Sequence, residues 1–264
     1  MEPYPLLSLV IPAFNEEQCL SEVVGHLHNL LTERLEGTFE IILVNDGSRD
    51  QTLARMESLV MNLPSVCLLS YEHNQGKGYA LTQGLKMARG DLMAFVDADG
   101  EIAPEQLFLL LEKQSHTRAG AVVGIKRVKG PRVWSRYLAS GVARGLARSL
   151  FKIPLSDTQT GLKLFSRSEV QPLLDHCRER GFLFDLELLY LARRRRIRLL
   201  EVPVEVHILR ANRLKLWTVF RSGAELLRLR WRLWFNEAPH NEGEGRLNSA
   251  LPSRCTLEVS SRDD

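Results

Sequence analysis

From Leu6 to Gly124 the chain alternates short β-branched or apolar runs with amphipathic helical patterns. That alternation constrains the fold more than any other feature, because strands separated by helix-length segments build βαβ units around a mainly parallel sheet. It predicts strands at Leu6 to Ile11, Phe39 to Asn45, Val66 to Ser70, Leu92 to Val96 and Ala121 to Gly124. Between the first two, Leu20, Val23, Val24, Leu27, Leu30 and Leu31 recur at helical spacing. Further helices are expected over Thr52 to Met61, Gly78 to Ala88 and Pro104 to Lys113, the last with proline in its first turn. The expected class is α/β, a Rossmann-like sheet flanked by helices.

After Gly124 the pattern changes to an Arg-rich helical stretch, Trp134 to Phe151, and a polar loop, Ser156 to Thr160. A strand near Leu162 to Phe165, a helix near Phe184 to Arg195, a strand at Leu199 to Val206 and a helix from Leu216 to Phe235 follow. Residues 236–264, rich in Asn, Glu, Gly and Ser, read as a disordered tail, which leaves residues 1–235 as one domain. No run approaches the roughly 18 apolar residues a membrane-spanning helix needs. The start, MEPYPLLSLVIPAFNEE, lacks a signal-peptide layout. The four cysteines show no CxxC spacing, which argues against structural zinc or a disulfide framework and fits a reducing cytoplasm.

The formal charge of +3 is unevenly spread: between Arg193 and Arg232 there are twelve Arg and Lys against three acids. An anionic surface is the expected partner, read as membrane headgroups and not nucleic acid. The last helix mixes Arg221, Arg228, Arg230 and Arg232 with Leu226, Leu227, Leu229, Trp231, Leu233, Trp234 and Phe235. Trp134 to Phe151 likewise places Tyr137, Leu138, Val142, Leu146 and Leu150 on one face. Both compositions suit C-terminal interfacial helices lying on headgroups. A packed helix with snorkelling arginines is the competing reading of the last one.

In open α/β sheets, ligands bind beyond the carboxyl ends of the strands, and the unusual residues fall there. Strand one ends in Pro12-Ala13-Phe14-Asn15-Glu16, strand two in Asn45-Asp46-Gly47-Ser48, strand three in His73-Asn74-Gln75-Gly76-Lys77-Gly78 and strand four in Asp97-Ala98-Asp99. Two carboxylates one residue apart at a strand end suit Mg²⁺ or Mn²⁺, with coordination positions left for substrate phosphates. Asp46 can accept from a base N–H and Glu16 from ribose hydroxyls. Gly76 and Gly78 let backbone amides approach a diphosphate at a helix start, and Lys77 adds a cation. Each has a plainer alternative, such as a turn at Asp46 or a helix entry at Gly76 to Gly78.

With those residues in view, the chain resembles a family 2 glycosyltransferase of GT-A fold, in the polyprenyl or dolichyl phosphate sugar synthase branch. The resemblance rests on Val10 to Glu16, Val44 to Asp50, Asn74 to Gly78, Asp97 to Asp99, Asp157 to Phe165 and Phe184 to Leu189, and it runs from about Leu6 to Phe235. Within that branch, Asp157 to Phe165 and Asn212 to Leu216 most resemble the dolichyl-phosphate β-glucosyltransferases. The resemblance implies donor binding by Pro12, Glu16, Asp46, Gly76, Lys77, Gly78 and Asp97, and a metal on Asp97 and Asp99. Glu101 stands where a relative commonly has a metal-binding Gln, either as a third oxygen ligand or as a helix-entry acid. Asp157 and Gln159 are implied site residues.

The implied reaction is direct displacement, in which a lipid phosphate oxygen attacks the anomeric carbon with inversion. A phosphomonoester, with a second pKa of about 6, is already largely ionised near pH 7, so a strong general base is dispensable. Lys126, Arg127 and Arg136 are the cations expected to hold the acceptor phosphate, although the first two also fit a solvated basic loop. UDP-glucose is favoured over GDP-mannose as donor, and the expected location is the cytoplasmic membrane face, as a peripheral protein. Two other readings fit less of the pattern: a family 2 transferase with a soluble acceptor, and an inactive donor-binding scaffold.

Overall fold

The computed structural model describes residues 6–35, 38–128, 150–151, 153, 155, 160–207, 216–235 and 256–258. The chain divides into two compact units. One comprises residues 1–131, 153–211 and 256–264, and the other residues 132–152 and 212–255.

The first unit holds eight strands in the order β7-β5-β6-β4-β1-β2-β3-β8. These are β1 (Leu7–Ala13), β2 (Phe39–Asp46), β3 (Val66–Tyr71), β4 (Leu92–Val96), β5 (Ala121–Val128), β6 (Leu162–Ser166), β7 (Leu199–Val206) and β8 (Thr256–Glu258). Between them run α1 (Leu20–Leu35), α2 (Thr52–Asn62), α3 (Lys77–Met87), α4 (Gln106–Thr117), the short α5 (Arg167–Val170) and α6 (Phe184–Arg194). All pairings are parallel except those of β6, which runs against both β4 and β5.

Every residue of β1 and β2 is buried, the continuous apolar signature of strands covered on both faces. Leu20, Val24, Leu27 and Leu31 put one stripe of α1 into the core formed with Leu9, Ile11, Ile41 and Leu43. Truncating such a leucine costs about 2–5 kcal/mol. The other face of the sheet carries α3, whose Gly84 lies against the side chains of Val10 and Val44.

Three departures from expectation have physical causes. β5 continues to Val128 because β7 pairs along its whole length, Ala121↔Leu199 to Val128↔Val206. Lys126 and Arg127 are therefore strand residues opposite Val204 and Glu205, not part of a loop. Helix α4 begins two residues past Pro104, after turns closed by Gln106 N to Ala103 O and Leu107 N to Pro104 O. Of residues 236–264, Thr256–Glu258 form an edge strand beside Leu68–Ser70; the rest lie outside the described residues.

In the second unit, the helix α7 (Leu216–Phe235) spans the expected residues. It buries Leu226, Leu229 and Leu233 and exposes Leu227, Trp231 and Trp234. Trp231 and Trp234 meet edge to face at 6.5 Å. The helix expected at Trp134 to Phe151 falls almost wholly outside the described residues.

Candidate active site

Because β1 to β4 are mutually parallel, their four marked loops leave the sheet at one edge. The reversed β6 brings the opposite end of its strand there, with Leu162 beside Val96 and Thr160–Gly161 just before it. The carboxyl end of β5, with exposed Lys126 and Arg127, reaches the same edge. Asp157, Gln159 and Arg136 lie outside the described residues.

The first two loops are stitched together by side chains. Asn15, at φ 57°, donates its N–H to Ser48 Oγ (3.1 Å) and accepts from Arg49 N at Oδ1 (2.8 Å). Glu16 N donates to Thr52 Oγ1 at 2.8 Å. Asp50 accepts from Glu17 N (3.3 Å) and Thr52 N (3.0 Å). Burial works against the ionised Asp50, but the hydrogen bonds from Thr52 and Glu17 outweigh it and hold the carboxyl below its usual range. Pro12 is buried opposite Val44, so it lies in the sheet just beneath this rim.

Asp46 works first within the protein. Its carboxylate accepts from Asn74 Nδ2 (3.0 Å), Gln75 N (2.7 Å) and Gly76 N (3.0 Å), which fills three of its roughly four acceptor positions. The side chain folds the β3–α3 loop. Burial pushes its carboxyl above the ordinary value, and the Gln75 and Gly76 amides oppose that.

Gly76 and Gly78 give close approach to another segment of the chain. The segment Arg178 to Gly181 lies directly on them: a Cβ on Gly76 would collide with Arg180 O, and one on Gly78 would stand 2.6 Å from Glu179 O. Gly76 also adopts φ 101°, a conformation side chains resist. The Arg180 carbonyl accepts from Gly78 N (2.8 Å) and Tyr79 N (3.2 Å). It therefore occupies the helix-start amides that the sequence reading assigned to a diphosphate. Glu187 holds this segment, accepting from Arg178 N (2.9 Å) and Glu179 N (2.7 Å). Arg180 reaches Gln75 Oε1 at 3.0 Å and lies over the Tyr79 ring.

Lys77, at the start of α3, projects to the end of β4, where its Nζ meets Asp97 Oδ1 at 2.5 Å. Both side chains keep about a quarter of their surface exposed, at 23% and 26%. Burial pulls the Lys77 ammonium down, but Asp97, aided by Asp185 and Asp99, holds it above the ordinary value. Asp99 Oδ1 accepts from Glu101 N at 3.0 Å, and Glu101 O accepts from His207 N at 2.8 Å. Among the described residues no three acids, histidines or cysteines gather to hold a metal ion. The turn thus docks the Glu101 backbone on the end of β7.

Asp97 and Asp99 alone still fit a divalent cation. The ammonium of Lys77 already stands beside Asp97 as a stand-in cation, and hard cations take only one or two protein carboxylates when phosphates and water complete the shell.

Sequence reasoning missed the charged pair beneath the rim. Lys163 of β6 has no exposed surface, and its Nζ lies 3.2 Å from Asp185 Oδ1 in the first turn of α6. It donates to Thr160 O at 2.5 Å and lies over the Phe95 ring. Burial drives both groups toward neutrality, Lys163 downward and Asp185 upward. The available signal was a lysine at an inward-facing strand position between Leu162 and Leu164.

The model of the glycosyl transferase family 2 matches residues 8–173, which takes in all four loops and the whole of β6. The chain belongs to this family. A dolichyl-phosphate beta-glucosyltransferase of Trichomonas vaginalis is 30% identical over 242 residues, covering 86% of this chain and 74% of the relative. The dolichyl-phosphate beta-glucosyltransferase of Saccharomyces cerevisiae is 29% identical, covering 76% and 66%. The undecaprenyl-phosphate 4-deoxy-4-formamido-L-arabinose transferase of Pseudomonas aeruginosa is 34% identical, covering 69% and 53%. Among solved structures, glucosyl-3-phosphoglycerate synthase of Mycobacterium tuberculosis with Mn²⁺, uridine-diphosphate and phosphoglyceric acid matches with TM-score 0.64 at 23% identity, over 86% of this chain and 78% of that one. That likeness establishes the GT-A fold.

Proposed function

We propose that this glycosyltransferase moves a hexose from a nucleotide sugar to a polyprenyl phosphate, with inversion at the anomeric carbon. One observation carries the reading: four loops leave a single sheet edge around Asp97 and Asp99, in a chain whose relatives act on dolichyl and undecaprenyl phosphates. UDP-glucose is the favoured donor, in keeping with the beta-glucosyltransferase relatives.

The acceptor phosphate oxygen forms the new bond to the anomeric carbon as the bond to the nucleotide diphosphate breaks. The acceptor arrives ionised, so no side chain has to remove a proton. The protein's work is positioning and charge neutralisation. Asp97 and Asp99 would hold Mg²⁺ or Mn²⁺, which when bound supplies positive charge to the leaving diphosphate. Lys77 supplies further charge beside them. Lys126 and Arg127, exposed on the same edge, hold the acceptor phosphate, and Asp157 and Gln159 orient it.

The exposed Leu227, Trp231 and Trp234 of α7, on a helix carrying Arg228, Arg230 and Arg232, support peripheral attachment to anionic headgroups at the cytoplasmic face of a membrane. Among the described residues no helix is long and apolar enough to cross a membrane.

The test is synthesis: purified protein, UDP-glucose and Mn²⁺ with dolichyl or undecaprenyl phosphate should yield a hexosyl lipid. Release of UDP only with a water-soluble acceptor would overturn the lipid assignment.

A further inference from the structure

The buried Lys163–Asp185 pair falls in two of the motifs that carry the resemblance, at positions the proposed chemistry leaves unused. Lys163 has no exposed surface and Asp185 keeps only 8% of its side-chain surface. A charged pair so deep gains little stability for the fold, because desolvation offsets most of the attraction. Its surroundings point to a different use.

On the β6 side, Lys163 Nζ tethers the Thr160 carbonyl. The next residue, Gly161, accepts from Asp97 N at 3.1 Å. Gly161 also presses so closely on the Asp97 carboxylate that a Cβ there would collide with Oδ2. Thr160–Gly161 is thus the wall against which the Asp97 carboxylate rests. On the α6 side, Asp185 immediately follows the segment Arg178 to Phe184, whose Arg180 carbonyl caps α3 and whose backbone closes on Gly76 and Gly78. Helix α3 begins at Lys77. One end of the pair therefore fixes the seat of Asp97 and the other fixes the seat of Lys77.

We propose that Lys163 and Asp185 are positioning residues, joined as an internal bolt that sets Asp97 and Lys77 at the spacing a nucleotide diphosphate requires. They touch neither donor nor acceptor and act through the two residues they hold. The site affected is that of the proposed transfer, so this inference rests on that reading for its consequence. Its geometry can be tested without it.

The experiment compares the parent with Lys163→Met/Asp185→Leu, which replaces the pair by apolar groups and leaves no buried charge unpaired. Hydrogen exchange is measured on the free proteins at Lys77–Tyr79 and Ala98–Gly100, and UDP affinity is measured with Mn²⁺ present. The expected result is a melting temperature near the parent's, faster exchange confined to those two segments, and UDP binding weaker by roughly 10- to 100-fold. Parent-like exchange in both segments overturns the proposal, because the pair would then be ordinary core. Where the double variant does not fold, Asp185→Asn, which keeps the size of the side chain and removes its charge, is read by the same exchange criterion. Lys163→Arg, which retains a donor for Thr160 O, should recover part of the protection at Ala98–Gly100. The exchange readout uses no donor or acceptor, so failure to make a hexosyl lipid and failure of this proposal are separate outcomes.

Discussion

Lys77 and Asp97 meet at the carboxyl edge of the sheet, Nζ to Oδ1 at 2.5 Å, although β1 and β2 separate the strands they follow, so the residue at the start of α3 is tied to the acid that closes β4. Removing the acidic partner beside this pair should separate chemistry from folding. Asp99→Asn keeps the size of the side chain and its acceptor for Glu101 N, so the melting temperature should stay within a few degrees of the parent's. Turnover should fall roughly 100-fold or more, several kcal/mol of transition-state stabilisation. A large loss of melting temperature would make Asp99 a structural carboxylate.

Gly76→Ala should be among the most damaging small substitutions on the rim. The added methyl meets Arg180 O and sits at φ 101°, so steric and backbone costs combine to roughly 2–4 kcal/mol. Urea unfolding gives the number directly. A change below about 0.5 kcal/mol would mean that the segment Arg178 to Gly181 does not lie on this glycine.

Glu187→Ala tests that segment from its other side. It removes the acceptor for Arg178 N and Glu179 N, two bonds to a charged group worth about 1.5–3 kcal/mol each at most. The Arg180 carbonyl should loosen from α3, and the Gly78 and Tyr79 amides should exchange faster. Unchanged protection of those two amides would show that Arg180 is held without Glu187.

Asp50 gives a pH signature. Its carboxyl is held below the ordinary value by hydrogen bonds from Thr52 and Glu17. The stability it contributes is therefore present above the ordinary value of 3.8 and lost as pH falls through the lower folded value. Asp50→Asn should melt below the parent at pH 7, and the gap should close as both are titrated toward pH 2. A gap that stays constant to the acid end would exclude the ionised carboxylate as its source.

Trp231→Ser/Trp234→Ser addresses attachment. Both indoles are more than half exposed, at 62% and 61%, so replacing them should not disturb the core. Binding to phosphatidylglycerol/phosphatidylcholine vesicles should weaken about tenfold or more, since each indole removes over 1 kcal/mol of apolar burial. Equal sedimentation of parent and variant with such vesicles would remove α7 from the membrane contact.

The parallel core was legible because buried strands write their burial into the sequence: Leu92–Val96 and Leu199–Val206 have the bounds their apolar runs imply. The gathering of loops at one edge followed from topology alone. What sequence could not give was the second occupant of each place. Gly76 and Gly78 invite a close neighbour, yet only the fold brings Arg180 from a hundred residues away to supply it. The same holds for Asp46, whose partners lie in the next loop, and for Lys163, whose acid lies on a helix beyond β6. Non-local polar contacts carry no periodicity to read. The fifth strand reads from sequence as ending at Gly124, short of Lys126 and Arg127, because its extension is supplied by β7, a partner far along the chain.

β6 enters the sheet from its carboxyl side and so delivers Thr160 and Gly161 beside Asp97 without using any of the four βα turns. The wall behind that carboxylate is thereby independent of the loops that β1 to β4 supply, and a substitution at Gly161 shifts Asp97 while those four strands keep their register.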